Sequence, residues 1–251
     1  MEVEKGVDAV EGLPVLYVKR LSALVCSDLH LGYEGVMADR GIFLPKVNLK
    51  SIKSIIKNAV DVSQAENIII DGDIKNEFST VHNEELNEFA ELVGFLTGEL
   101  ELKKIIMIKG NHDNFINRIV NSKKIEIHEQ EAAMDDVLFF HGEELPRATE
   151  STRLMVMGHV HPAITLYDDI NVKEKLRCFL HGKTRDGRRL IVLPAISYFA
   201  EGVSVNLESV SKVSPVFKSY ADINKMDALC VGEGETLSFG SVGNLKKIDM
   251  R

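Results

Sequence analysis

The sequence predicts an α/β fold, a two-sheet α/β sandwich of mixed sheets flanked by helices, and three observations predict it. In the first half, apolar runs of strand length alternate with stretches of helical periodicity, the order expected of parallel strands joined by right-handed crossovers. In the second half, short apolar runs follow one another closely with little helix between them, which favours a second, more antiparallel sheet packed on the first. Five of the apolar runs stop at Asp, His or Asn. Polar groups of that kind then collect where strands end, the edge at which open α/β sheets keep their ligand crevices.

The chain has 251 residues, enough for one large α/β domain or two small ones with a sizeable core. Its 45% apolar and 27% charged residues are ordinary for a soluble globular protein. No apolar run approaches the roughly 20 residues of a membrane span. Thirty Lys and Arg against 38 Asp and Glu give a net charge of −8. That is not the footprint of a protein that grips a long nucleic acid with its whole surface, although it leaves room for a local contact. Cys26, Cys178 and Cys230 are an odd number without paired spacing, and two lie in apolar runs; they read as buried free thiols in a reducing compartment, hence a cytoplasmic protein.

Taken in order, Met1 to Pro14 is acidic and polar, without the basic start or apolar stretch of a signal peptide, and reads as a loose leader. Val15–Val18 and Leu21–Val25 read as a hairpin about Lys19-Arg20, and Leu31 to Pro45 as a long loop. Leu49, Ile52, Ile55, Ile56, Ala59 and Val60 share one face at helical spacing, so the pattern predicts a helix over Lys46 to Val62. Ile68–Ile70 predicts a buried strand. Leu86, Phe89, Ala90, Val93 and Leu96 predict a second helix from about His82 to Thr97, Ile105–Ile108 the next strand, and Asn114 to Val120 a short helix. The second sheet is expected to take Ile125–Ile127, Val137–Phe140, Leu154–Met157, Ala163–Tyr167, Leu176–Leu180, Leu190–Leu193 and Val203–Val205. One domain is expected over residues 15–210. Residues 211–251 read as an extension packed on it, with strand-like Ala228–Cys230 and Leu237–Phe239.

The strand ends carry the chemistry. Val25-Cys26-Ser27 is followed by Asp28-Leu29-His30, Ile68–Ile70 by Asp71-Gly72-Asp73, and Ile105–Ile108 by Gly110-Asn111-His112-Asp113. Val137–Phe140 ends at His141, and Met155–Gly158 at His159-Val160-His161. Along an extended segment, Asp28 and His30 face the same way and can share one cation, as can His159 and His161. Asp28, His30, Asp73, Asn111, His141, His159 and His161 are too many ligands for one tetrahedral ion. They suit two octahedral or near-octahedral sites joined by a bridging carboxylate, a pair able to turn bound water into hydroxide and to clamp both oxygens of an in-line displacement at phosphorus. The donor set accepts Mn²⁺, Ni²⁺, Fe, Co²⁺ or Zn²⁺, and Mn²⁺ is the first expectation.

These motifs, in this order, closely resemble those of the calcineurin-like metallophosphoesterases, over residues 21 to about 205. The resemblance implies a two-sheet sandwich with a dimetal centre at the strand ends. It implies that Asp28, His30, Asp73 and His161 hold one metal, and bridging Asp73, Asn111, His141 and His159 the other. His112 would stabilise the phosphoryl oxygens and protonate the leaving alkoxide, with Asp113 orienting its other ring nitrogen. Asn76 stands where many members have Asp, which bears on local hydrogen bonding. Gly158–Ala163, Arg177–Leu180, Leu193–Ala195 and Glu201-Gly202 are similar to a narrower group, the small prokaryotic phosphoesterases related to the repair nuclease subunit SbcD, including those encoded beside DNA ligases. By that analogy the substrate is a phosphoester of DNA or RNA ends or a nucleotide diester, with a small phosphomonoester or a non-catalytic scaffold as the alternatives.

Two further features keep two readings each. Arg40, in the loop after the first ligand pair, either borders the substrate pocket or makes a surface ion pair. Lys183, Arg185, Arg188 and Arg189 form either a solvated hairpin tip or a phosphate contact. Oligomeric state is not legible.

Overall fold

The computed structural model describes residues 1–78, 82–114, 116, 124–167, 170 and 172–248. Two sheets pack face to face. The first has seven strands in sequential order: β1 (Glu2–Glu4), β2 (Val7–Ala9), β3 (Leu16–Val18), β4 (Ala23–Cys26), β5 (Asn67–Asp71), β6 (Lys104–Ile108) and β7 (Ile125–His128). β1 to β4 are antiparallel, and β4 to β7 run parallel. The second is built on the order β14 (Val203–Ser204), β11 (Pro162–Tyr167), β12 (Lys173–Lys183), β13 (Arg189–Val192), β10 (Leu154–Met157), β9 (Val137–Phe140) and β8 (Glu131–Met134). β15 (Asp227–Val231) adds to β12, and β16 (Thr236–Ser241) to β15.

Alternation explains why so many runs are apolar throughout. Val25, Ile69, Ile106, Phe139, Val156 and Ile191 fill the space between the sheets. Leu24, Ile68, Ile70, Ile105 and Met107 instead meet α2 (Asn48–Ser63) and α3 (Asn83–Gly94) on the outer face of the first sheet. Leu138, Phe140, Met155, Met157, Leu190 and Val192 meet the C-terminal segments on the outer face of the second. Both faces of each central strand are dry, so side chains of either parity are apolar. Each such Ile, Leu or Phe contributes roughly 1.5–3 kcal/mol by burial.

The helices expected over 46–62 and 82–97 form as α2 and α3, the latter prolonged by a wider turn over Phe95–Glu99. Several expectations are corrected. The leader is not loose: Val3, Val7 and Ala9 are buried, and β1 and β2 extend the first sheet. Acidic neighbours on the exposed parity hide this two-residue period. The loop over 31–45 contains α1 (Tyr33–Asp39), a helix too short for its periodicity to register. Ile125–His128 joins the first sheet beside β6 rather than the second. The second sheet is also less antiparallel than expected, since β9, β10 and β13 run parallel. The helix expected over Asn114 to Val120 falls mostly outside the described residues. Residues beyond 210 contribute β15, β16 and α4 (Val242–Ile248). Cys26, Cys178 and Cys230 are free and buried. No helix among the described residues is long and apolar enough to cross a membrane.

Candidate metal centre

The parallel strands aim their C-terminal ends at one rim. β4, β5 and β6 deliver Asp28 and His30, Asp73, and Asn111 to Asp113; β9 and β10 deliver His141 and then His159 and His161. A bridge between Ser27 and Ala195 joins the two sheets at this rim. The backbone does not stay extended there. Asp28 (φ 59), His30 (φ 48), Asp73 (φ 49), His159 (φ 67) and His161 (φ 46) all adopt the left-handed conformation, which non-glycine residues occupy at a cost. The expectation that Asp28/His30 and His159/His161 alternate along extended segments is therefore corrected. Main-chain bonds hold the turns: Asp28 N–H donates to Gly72 O (3.1 Å), His30 N–H to Asp73 O (2.9 Å) and Leu31 N–H to Ile74 O (2.8 Å). Glycine is required beside them, because a Cβ on Gly72 would overlap the His141 ring and one on Gly110 the Asp73 carboxylate.

Two groups of potential ligands result, Asp28, His30, Asp73 and His161, and Asp73, His141 and His159; within each, the ligand atoms lie within 4.8 Å of one another. Asp73 belongs to both. His161 Nε2 is 2.9 Å from Asp28 Oδ1 and 3.4 Å from His30 Nε2. His141 Nε2 is 3.2 Å from Asp73 Oδ2 and 3.8 Å from Asp28 Oδ1. Two carbonyls set the ring orientations. His141 Nδ1–H donates to Asp71 O (3.0 Å), which turns Nε2 to the cluster, and His159 Nε2–H donates to Val213 O (3.1 Å), which leaves Nδ1 for it.

The charges balance internally. Burial raises the Asp28 and Asp73 carboxyls, but the imidazoles of His161 and His141 outweigh it and hold both below the ordinary carboxylate range. Burial opposes charge on His141, yet Asp73 and Asp28 push it well above its ordinary value, and burial likewise opposes charge on His161, which Asp28 nonetheless raises. His30 goes the other way, down to about 4, through burial and the neighbouring His161 charge. Imidazolium protons thus occupy the role that cations can take. The residues fit divalent ions on three grounds: mixed N and O donors without thiolate, a shared buried carboxylate, and the buried Asn111 Oδ1, which has no hydrogen-bond partner among the described residues.

Some expected site residues sit differently. Asp113 makes neither a hydrogen bond nor an ion pair with the His112 ring. It is fully buried, accepting from Ile74 N–H (2.8 Å), Lys75 N–H (3.1 Å) and Gly110 N–H (2.9 Å), so it shapes the turns that carry Asp73 and Asn111. The ring is oriented instead by the main chain of Asn76, whose carbonyl accepts from His112 Nδ1–H at 2.5 Å. Any residue type supplies a carbonyl, so Asn in place of Asp at 76 leaves this bond intact. His112 Nε2 faces Asp73 Oδ2 at 3.6 Å. Arg40 is 62% exposed and pairs with Glu77 Oε2 at 3.4 Å. In the basic turn, Arg188 reaches Thr149 O, Thr152 O and Asp186, Arg185 reaches Ser219 O, and Arg189 pairs with Glu4.

Asn48 and Val213 were not singled out from sequence. Asn48 is buried at the start of α2 and donates from Nδ2 to Leu29 O and His30 O, while its Oδ1 accepts from Ser197 Oγ and Tyr198 N–H. An Asn opening an apolar helix face carries no sequence signal of that work, and Val213 acts through its carbonyl.

A mixed α/β sandwich that gathers acidic and imidazole side chains at its strand ends, where they could hold metal ions, fits a metal-dependent hydrolase. The calcineurin-like phosphoesterase family profile matches residues 21–201, and the chain belongs to that family. It is a hydrolase acting on phosphoester bonds, of a family that uses a dimetal centre. Among solved structures, the Pseudomonas putida nuclease MPE is similar, with 17% identity, a TM-score of 0.61 and coverage of 92% of this chain and 93% of that one. A phosphoesterase from E. coli, Yfce, aligns with 14% identity, a TM-score of 0.44 and coverage of 87% and 98%. A comparison with curated proteins finds no match.

Proposed function

We propose that the chain is a dimetal phosphodiesterase acting on nucleic acid ends or nucleotide diesters. The observation that carries the reading is the sharing of the buried Asp73 between two ligand groups at one rim. In this reading Asp28, His30, Asp73 and His161 hold one ion, and Asp73, Asn111, His141 and His159 the other, with Mn²⁺ as the first candidate. Two bound cations supply a water activated for attack and positive charge against the phosphoryl oxygens. The chain's own residues do the rest. The carbonyl of Asn76 keeps the proton of His112 on Nδ1, so the proton that His112 gives or takes is on Nε2, the nitrogen facing Asp73. From there His112 donates to a phosphoryl oxygen and protonates the departing alkoxide. Asp113 holds the turn on which His112 sits, and Arg40 stays at the rim in its pair with Glu77. A nucleic acid substrate is supported by the likeness of Gly158–Ala163 and Arg177–Leu180 to nuclease-related phosphoesterases.

The test is hydrolysis by protein reconstituted with Mn²⁺, then Ni²⁺, of bis-p-nitrophenyl phosphate, p-nitrophenyl phosphate and labelled single- and double-stranded DNA, with Asp73→Ala as the blank. Diester and DNA cleavage that vanishes in the blank is expected. Hydrolysis of the monoester alone would replace the reading with a phosphomonoesterase, and inactivity on all four with two ions bound would refute it.

A further inference from the structure

We infer that Tyr198 is a stacking platform for a nucleobase of the substrate, placed beside the metal centre and held rigid by Asn48, Arg177 and an aromatic pair; this rests on the phosphodiesterase reading above and gives it a substrate class. Tyr198 closes a segment, Ala195 to Ser197, that is otherwise buried. Ile196 N–H donates to Ser27 O and Ser197 N–H to Asp28 O, so the ring is one residue from a direct main-chain bond to a candidate ligand. Yet the Tyr198 side chain is left out in solvent, with the residue 56% exposed.

Its main chain is fixed at both polar groups. Tyr198 N–H donates to Asn48 Oδ1 at 2.8 Å, and Tyr198 O accepts from Arg177 at 3.0 Å. Its ring meets Phe199 edge-on with centroids 5.2 Å apart, and Phe199 stacks on Tyr33 at 4.9 Å. Tyr33 follows His30 by three residues, so the aromatic group ties the segment after β13 to the loop that carries Asp28 and His30. An exposed aromatic whose backbone is immobilised loses little freedom when a planar ligand stacks on it, and every base offers a π-face.

Arg177 adds charge. Its two described bonds go to the carbonyls of Ala195 and Tyr198, and no carboxylate pairs with it among the described residues. A half-buried guanidinium bonded to the main chain of the platform residue, with no carboxylate paired to it among the described residues, favours the phosphates that accompany a base.

The experiment uses the Mn²⁺-loaded full chain and two diesters that differ in one feature: a dinucleotide with 2-aminopurine as one base, and the same diester with an abasic sugar there. Tyr198→Ala is compared with Tyr198→Phe, both checked by thermal melts. For the base-bearing diester, Tyr198→Ala is expected to raise KM about 5- to 150-fold, the equivalent of roughly 1–3 kcal/mol for one stacked base. Its kcat and the abasic KM should stay put, and Tyr198→Phe should behave as wild type. Stopped-flow quenching of 2-aminopurine on binding should be present in wild type and Tyr198→Phe and absent in Tyr198→Ala. If Asp73-dependent cleavage of both diesters occurs with the same KM ratio in Tyr198→Ala as in wild type, the platform is wrong and the phosphodiesterase reading stands. If neither diester is cleaved and wild type fails to quench 2-aminopurine, both are wrong; if quenching is seen without cleavage, the platform stands and the reaction was misassigned.

Discussion

Asn48→Ala tests the claim that one buried amide joins the ligand loop after β4 to the segment carrying Tyr198. The native side chain makes four bonds, to Leu29 O (3.0 Å), His30 O (3.1 Å), Ser197 Oγ (3.1 Å) and Tyr198 N–H (2.8 Å). Alanine removes all four. The Ser197 hydroxyl can rotate to another acceptor, but the Tyr198 amide and the two carbonyls cannot. Leaving a buried donor or acceptor unmade costs about 1–3 kcal/mol, and water entering the vacated space offsets part of it, so about 3–5 kcal/mol is expected. For a chain of this size that lowers Tm by roughly 6–20 °C. Mn²⁺ affinity should fall as well, because His30 loses the anchor on its own carbonyl. Asn48→Asp is the sharper variant. It keeps Oδ1 for Tyr198 N–H but sets a second oxygen against two carbonyls, so it should be no more stable than Asn48→Ala. The measurements are calorimetric melts of the metal-free proteins and Mn²⁺ titrations. A Tm of Asn48→Ala within about 2 °C of wild type, below the smallest loss expected from one unmade bond, would refute the reasoning.

Three further outcomes follow from the same geometry. Free Mn²⁺ at a hundredfold excess over its Kd should stabilise wild type by about 2.7 kcal/mol for each ion bound, or roughly 5–11 °C per ion, and Asp73→Ala hardly at all, since Asp73 lies in both ligand groups; equal shifts would sink the shared-carboxylate assignment. His112→Ala should keep its metal content and lose about 10²- to 10⁴-fold in turnover on an alkyl diester, with less lost on p-nitrophenyl esters, whose leaving group needs no proton; an unchanged alkyl-diester rate would remove His112 from the reaction. Glu88 is lifted to about 7 by burial, with Glu34 and Glu84 adding to it against the Gly32 N–H bond. Its folded pKa exceeds its unfolded value of about 4.3, so its contribution is complete below about 4.3 and lost as pH rises through about 7. Glu88→Gln, which mimics the neutral acid, should therefore gain on wild type in Tm between pH 5 and pH 8, and a gap that stays constant would show Glu88 to be unperturbed.

The central strands were legible because burial on both faces leaves uninterrupted apolar runs, and the polar residues that follow each run mark the rim. Asp28, Asp73, His141 and His159 could therefore be found without coordinates. How the loops turn was not legible. Asp28-x-His30 has the spacing of an extended pair, and no local pattern reveals that both residues are left-handed, since their N–H groups donate to the Gly72 and Asp73 carbonyls 40 or more residues away. Backbone partners are likewise invisible. Asn76 and Val213 orient His112 and His159 through carbonyls that every residue type possesses, which is why Asp113 attracted the role that Asn76 fills. α1 and the strands before β3 escaped for another reason: seven- and three-residue elements are shorter than the windows in which periodicity is readable.

The left-handed ligands imply that the rim is strained and that the sandwich holds it there. Each non-glycine residue in that region costs on the order of 1–3 kcal/mol, and five of them together rival the whole net stability of a typical domain. Such turns persist because neighbouring segments bond them: Asp28 and His30 N–H donate to the Gly72 and Asp73 carbonyls, His159 N–H to the Asp28 carboxylate and Val203 N–H to His161 O. Glycine and alanine distinguish this from an unstrained rim. At an ordinary position glycine is less stable than alanine by about 0.5–1 kcal/mol, because the unfolded chain gains freedom. At His159, with φ 67, both substitutions remove the imidazole and its bond to Val213 O, but alanine keeps the strain and glycine relieves it. His159→Gly should therefore melt above His159→Ala in metal-free protein, by about 2–4 °C for each kcal/mol of strain released in excess of the entropy term. If His159→Ala melts at or above His159→Gly, the left-handed turn carries no strain beyond the entropy term of about 0.5–1 kcal/mol, and the claim of a strained rim is refuted.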